Sequence, residues 1–179
     1  MDFLTRSKPS GQPQSSGPAP YRVLFVCLGN ICRSPAAEMV FCQALEQAGL
    51  QGRISCDSCG TAAYHVGQQP DRRMLAALKR AGVPYNGHRG RQFCRADFGR
   101  FDLIIPQDEE NRGDILSLAL NDAQAAKVQP MSRWFGPRSA YAEVPDPYYG
   151  PDSGFDEVVE LLQDAVARLL QELKGKIGA

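Results

Sequence analysis

The sequence predicts a single α/β domain built on a doubly wound, four-stranded parallel sheet with helices on both faces. Three observations lead there. Short apolar runs alternate with amphipathic stretches along most of the chain, the pattern of strands and helices that wrap an open parallel sheet. The first two helical stretches carry end signals, with Pro35 in the first turn of one and Gly49 and Gly82 just past the ends, where these residues fit best. The 179 residues, 43% of them hydrophobic, suffice for one domain with a core, plus a tail.

Residues 21–26 (YRVLFV) form an apolar, β-branched and aromatic run that reads as a buried strand. It stops at Cys27-Leu28-Gly29-Asn30, where Gly and Asn announce a turn. A helix follows over about residues 33–48, with Ala37, Val40, Phe41, Ala44, Leu45 and Ala48 on one face. Residues 53–58 read as a second strand, 60–70 as a loop, and 71–81 (DRRMLAALKRA) as a helix. Residues 101–105 (FDLII) make the third strand, followed by a helix over roughly 108–119 and a fourth strand at 125–129. Residues 130–154 hold several Pro and Gly and no regular pattern; so long a connection inside a compact domain points to a functional segment. A last amphipathic helix, about 155–173, turns Val158, Leu161, Leu162, Ala165, Val166, Leu169 and Leu170 inward. In such sheets ligands bind at the carboxyl ends of the strands, where Cys27 lies.

Residues 1–20 are rich in Pro, Gly, Ser and Gln and lack the apolar run of a signal peptide; they read as a disordered leader to a domain over 21–179. No later segment is apolar and long enough to span a bilayer. Twenty Lys and Arg balance twenty Asp and Glu, so nothing in the net charge calls for nucleic acid or an anionic membrane as partner. Anion recognition must then be local. The expectation is a cytoplasmic protein whose six cysteines stay reduced.

Local recognition has an obvious candidate. Cys27-Leu28-Gly29-Asn30-Ile31-Cys32-Arg33-Ser34 is a C-x5-R-S run between strand and helix. A loop of this length with permissive Gly29 and Asn30 can curl its backbone N–H groups around one oxyanion. The helix start adds its positive dipole end, and Arg33 offers a planar fork for two phosphate oxygens. The same field favours the Cys27 thiolate. Taken alone, Cys27 also fits a buried cysteine at a strand end. Likewise Pro145-Asp146-Pro147 fits a turn, or a carboxylic acid held stiffly between prolines.

The stretch VLFVCLGNICRSPAAE resembles the active-site signature of the low-molecular-weight protein tyrosine phosphatases, and DSCGTAAYHVGQQPDRRM, GHRGRQ and DPYYG extend the resemblance from about Tyr21 to the C-terminus. The resemblance implies a flavodoxin-like fold of the phosphotyrosine phosphatase I type. It also implies hydrolysis of phosphotyrosine and aryl phosphates through a phosphocysteine, with tyrosine-phosphorylated proteins as partners, inorganic phosphate as product, and no cofactor or metal. Cys27 would be the nucleophile, Arg33 the phosphate clamp and Asp146 the general acid, with Leu28 to Ser34 cradling the phosphate. Asn30, Ser34, Ser58 and His88 would form the network that holds the loop. Tyr64 and Tyr148 would wall the cleft, and Tyr149 beside them would be a regulatory phosphorylation site. Asp108 stands where the family carries an aspartate, here behind Pro106-Gln107 rather than the commoner apolar pair.

The remaining cysteines divide. Cys56 and Cys59 form a C-x-x-C, but on a strand they would face opposite ways, and a structural zinc needs two more ligands. Cys42 reads as helix packing. Cys32 sits beside Cys27 in the loop, and the resemblance implies a reversible disulfide between them. Two alternatives use the same scaffold. Arsenate reductase chemistry needs relay cysteines after the third strand, where the chain has Pro106-Gln107-Asp108-Glu109-Glu110. Phosphoarginine phosphatases carry a small polar residue where Ile31 stands, so Ile31 favours the aromatic ester.

Overall fold

The computed structural model describes residues 20–179; the expected leader lies outside the described residues, except for Pro20. Strand β1 (Tyr21–Cys27) is central, flanked by β2 (Ile54–Gly60) and β3 (Leu103–Pro106), all parallel, in the order β2-β1-β3. The two faces of β1 feed two cores. Val23 and Phe25 face helices α1 (Arg33–Gln47) and α6 (Ser153–Ile177), while Leu24 and Val26 pack with Phe98, Ile104 and Ile115 on the other side. Phe25 meets Phe41 edge-on at 5.6 Å between ring centroids, a geometry aromatic pairs favour. Helices therefore cover both faces, as expected of a sheet buried on each side.

The other helices follow the chain signals. Helix α2 (Arg72–Arg80) starts on Asp71, whose carboxylate accepts the Arg73 amide, an N-cap that satisfies an otherwise unpaired donor. Short α3 (Asp97–Arg100) precedes β3, and α4 (Glu109–Ser117) follows it with Asp108 as its N-cap. Helix α6 begins and ends a little beyond the expected bounds and closes on Gly178, with φ +66°.

The fourth strand is a correction. Residues expected as strand 125–129 instead contain the end of a helical turn, α5 (Asp122–Ala125), and a single isolated bridge between Ile104 and Val128. The hydrogen bonds show why no ladder develops. Ile104 N–H donates to Lys127 O, and Gln129 N–H to Ile104 O. Toward the C-terminus the next rung needs an N–H from Pro106, which has none. Toward the N-terminus the Lys127 amide is already taken by Gln124 O. Three strands remain.

The long 130–154 segment is pinned down along its length. A 3₁₀ turn (Met131–Trp134) buries Met131 and Trp134, and the indole N–H donates to Glu172 of α6 at 2.8 Å. Val144 is buried, and its amide donates to Gln107 O just past β3. That tie brings Asp146 to the carboxyl edge of the sheet.

Candidate active site

The site begins where β1 runs out. Cys27 is its last residue and is 3% exposed. Its Sγ lies 3.0 Å from Ser34 Oγ and accepts the Asn30 amide at 3.3 Å. The Ser34 hydroxyl also reaches Cys59 O at 3.2 Å, which ties the loop to the end of β2. The loop then enters α1, whose first turn has no side-chain cap and no acidic residue, so its dipole end is left for a ligand.

Asn30 gives the loop its shape. It is the only non-glycine residue with positive φ (+56°) among the described residues, a conformation asparagine tolerates better than most. Its buried amide is fully used. Nδ2 donates to Ser34 Oγ at 2.9 Å and Ser58 Oγ at 3.0 Å, while Oδ1 accepts the Arg91 amide at 3.0 Å and faces His88 Nε2 at 3.1 Å. Below the loop, Gly60 at the end of β2 lies so close that an added Cβ would stand 2.6 Å from Leu28 O, which only glycine avoids.

The network reaches a residue the sequence did not single out. Glu38, 7% exposed on α1, accepts Ser58 Oγ at 2.6 Å, Asn86 Nδ2 at 2.8 Å and His88 Nδ1 at 2.9 Å. Burial works to raise its carboxyl, but the hydrogen bonds from His88 and Ser58, with Asn86 behind them, outweigh it and hold Glu38 below the usual carboxylate range. Four-residue spacing puts Glu38 directly behind Ser34 on the helix, and that was the only local signal available. The first turns of α1 are buried all round, Arg33 to Phe41, because the helix is wedged between the sheet, α6 and the loop it supports.

Arg33 is 4% exposed and anchored on both branches. Nη1 donates to Asp108 Oδ2 at 2.5 Å and to Val144 O at 3.3 Å, while Nη2 reaches Asp146 Oδ2 at 3.3 Å. Burial would lower its proton affinity, but Cys27, Asp146 and Asp108 reverse that and hold it above its ordinary value. Asp108 thus does two things at once, accepting the Asn111 amide at the start of α4 and gripping the guanidinium.

Asp146 stands at the mouth, its side chain 44% exposed, with Oδ1 accepting the Tyr148 amide at 3.1 Å. A cleft of about 170 Å³ is lined by Cys27, Ile31, Arg33, Asp146 and the rings of Tyr64 and Tyr148. Leu28, Gly29, Cys32, His65 and Tyr149 also line it. Tyr148 and Tyr149 meet edge-on at 4.9 Å, and Tyr149 is almost wholly exposed. Arg73, also unanticipated, donates to Tyr148 O at 3.1 Å and lies over its ring. Burial, with Asp71, Cys27 and Asp146 nearby, pushes the Cys32 thiol well up. Ser58 and His88 lie behind the loop rather than in the cleft. Cys56 and Cys59 do face opposite sides of the sheet, toward the two separate cores. Among the described residues no group of three or more His, Cys, Asp or Glu is arranged to hold a metal ion.

The family model described as low molecular weight phosphotyrosine protein phosphatase matches residues 22–178. The chain belongs to that family. A Synechocystis sp. relative is 48% identical over 155 residues, 85% of this chain and 96% of its own. The human low molecular weight phosphotyrosine protein phosphatase is 39% identical over 140 residues, covering 77% of this chain and 86% of its own. In three dimensions the chain is similar to a protein tyrosine phosphatase from Entamoeba histolytica, crystallised with Hepes in its active site. The TM-score is 0.83 at 38% identity, over 87% of this chain and 98% of that one. No helix among the described residues is long and apolar enough to cross a membrane. As a member of this family of hydrolases, the chain is an enzyme.

Proposed function

We propose that the chain hydrolyses phosphotyrosine in proteins by a two-step, cysteine-linked mechanism. One observation carries the reading: a buried cysteine whose sulfur meets Ser34 Oγ and the Asn30 amide, in the same cleft as a buried arginine that touches Asp146. In the first step the Cys27 thiolate attacks phosphorus in line, and the P–O bond to the phenol breaks. Asp146 supplies the proton to the leaving oxygen. Arg33 and the loop amides from Leu28 to Ser34 carry the charge on the equatorial oxygens, with no metal required. In the second step Asp146 takes a proton from water, the new P–O bond forms, and the P–S bond breaks. Inorganic phosphate leaves and the thiolate returns.

Substrate choice follows from the walls. Tyr64, Tyr148 and Ile31 make a slot that suits a flat phenyl ring, so tyrosine-phosphorylated proteins are the partners. Phosphoarginine and arsenate chemistry are not favoured. Ile31 offers a guanidinium nothing polar, and no cysteine stands just after β3. Asn30, Ser34, Ser58 and His88 position the loop, and exposed Tyr149 suits phosphorylation by a kinase. Cys32, in the loop with Cys27, makes the site redox-sensitive through a disulfide between them. Residues 21–179 form the phosphatase domain, and unpaired cysteines fit a cytoplasmic setting.

The test is the full chain with Cys27→Ser. Turnover of phosphotyrosine peptide falls to background while inorganic phosphate still binds. Substantial residual turnover would refute the nucleophile and the mechanism with it.

A further inference from the structure

Helix α1 and strand β2 are joined by a polar seam that continues beyond the network under the phosphate loop. On α1, Ser34, Glu38 and Cys42 recur at four-residue spacing and so share one face. On β2, Ser58 and Cys56 share the facing side, two residues apart. Ser58 bonds Glu38, and one step further along Cys42 Sγ lies 2.9 Å from Cys56 Sγ. Neither thiol is sealed in. Both are of intermediate exposure and line a groove with Met39, Gln43, Tyr85 and Asn86 that shares no residue with the phosphate cleft.

The geometry points to Cys42 and Cys56 as a second thiol–disulfide site, one that a hydroperoxide oxidises to a cross-link between α1 and β2 independently of the catalytic cysteine. The two thiols belong to different elements that the fold holds together, so no backbone excursion is needed to bring the sulfurs into reach. The hydrogen bond from Cys56 holds Cys42 below its ordinary value despite burial and nearby Glu38, whereas that same contact and burial push Cys56 up. Cys56 Sγ also donates to Glu38 O at 3.9 Å, a contact that suits its protonated form, so Cys42 is the attacking sulfur and Cys56 the resolving one.

The chemistry balances as follows. The Cys42 thiolate attacks a peroxide oxygen, the O–O bond breaks, and Cys42 becomes a sulfenic acid with release of hydroxide. That hydroxide takes the Cys56 proton and leaves as water. The Cys56 thiolate then attacks the Cys42 sulfur; the S–S bond forms, the S–O bond breaks, and the departing hydroxide takes up the proton that Cys42 released to solvent on ionising, leaving as a second water. Two electrons pass from the sulfurs to the peroxide. The cross-link ties the helix that carries Glu38 to the strand that carries Ser58.

The test removes the phosphate-loop thiols from the full chain with Cys27→Ser and Cys32→Ser, so its outcome does not depend on the proposed mechanism. The protein is treated with hydrogen peroxide, alkylated without reduction and mapped by peptide mass spectrometry. The expected product is one peptide pair linking Cys42 to Cys56, reversed by dithiothreitol, with buried Cys59 unmodified. With Cys56→Ser added, the link is lost and Cys42 is trapped as a sulfenic acid by dimedone. Cys42→Ser, made in parallel, likewise abolishes the link. Cys42 and Cys56 both remaining alkylatable after exposed Cys94 has been oxidised, or Cys42 pairing elsewhere, would overturn the assignment. So would a Cys56→Ser chain in which Cys42 takes no dimedone.

Discussion

Arg33 and Asp146 meet at 3.3 Å across the mouth of the cleft. The proposed phosphate clamp and the proposed acid are thus partners in the free enzyme, and substrate oxygens must compete with the Asp146 carboxylate for Nη2. Asp146→Ala removes that competitor, so inorganic phosphate should inhibit several-fold more tightly, on the order of 1 kcal/mol for a half-exposed pair. The same variant should lose about 10²-fold or more in kcat on phosphotyrosine, and far less on aryl phosphates with acidic leaving groups. Equal losses on both substrates would contradict the acid role.

Arg33 is buried, forked and held by Asp108 on one branch. Lysine offers a point charge without the fork. Arg33→Lys should therefore lower kcat/KM by about 10²-fold or more. Asp108→Asn keeps the cap on α4 but weakens the grip, and its loss should be smaller and lie mainly in KM. Steady-state kinetics on one aryl phosphate separates the two. A full-strength Arg33→Lys enzyme would show that bidentate contact is unimportant here.

Glu38 gives a prediction with a definite sign in pH. Its folded-state carboxyl is held below the ordinary value of 4.5, so its contribution to stability is present above about pH 4.5 and is lost as pH falls through the lower folded value. Glu38→Gln leaves the amide facing His88 without the carboxylate and should lower Tm at pH 7. The gap between variant and parent should narrow toward pH 3. Thermal melts at several pH values check this, and a gap that widens in acid would mean that Glu38 is protonated at neutrality.

Asn30 combines positive φ with four hydrogen-bond contacts. Asn30→Ala keeps the backbone strain and loses the contacts, whereas Asn30→Gly relieves the strain and loses them equally. Alanine should be the less stable by about 1 kcal/mol, yet both should lose activity. If glycine restores full turnover, the network beneath the loop is dispensable and only backbone shape matters.

Much of this was legible because it is local. The strand, the C-x5-R-S loop and the helix start are neighbours in sequence, so spacing and residue type suffice to read them, whereas the missing side-chain cap at that helix start is a structural finding. The fourth strand was misread because its apolar pattern is real, but a ladder needs a partner with free N–H groups. Pro106 and the turn at Gln124 withhold them. Glu38 and Arg73 carry no local mark because a charged residue on a helix is ordinarily solvated, and only the fold shows that Glu38 is buried against a distant histidine and that partly exposed Arg73 reaches a distant carbonyl.

Family membership and the C-x5-R-S loop can be read from residue order, because one continuous segment holds Cys27, Asn30, Arg33 and Ser34 and helix propensity and turn chemistry act over a few residues. What surrounds them depends on the tertiary fold. It brought Asp108 and Asp146 onto the two branches of Arg33, Glu38 and His88 beneath Asn30, and Cys42 against Cys56. These groups come from different elements, and only the packing of α1, the segment around His88, the start of α4 and the 130–154 segment around the sheet sets their distances.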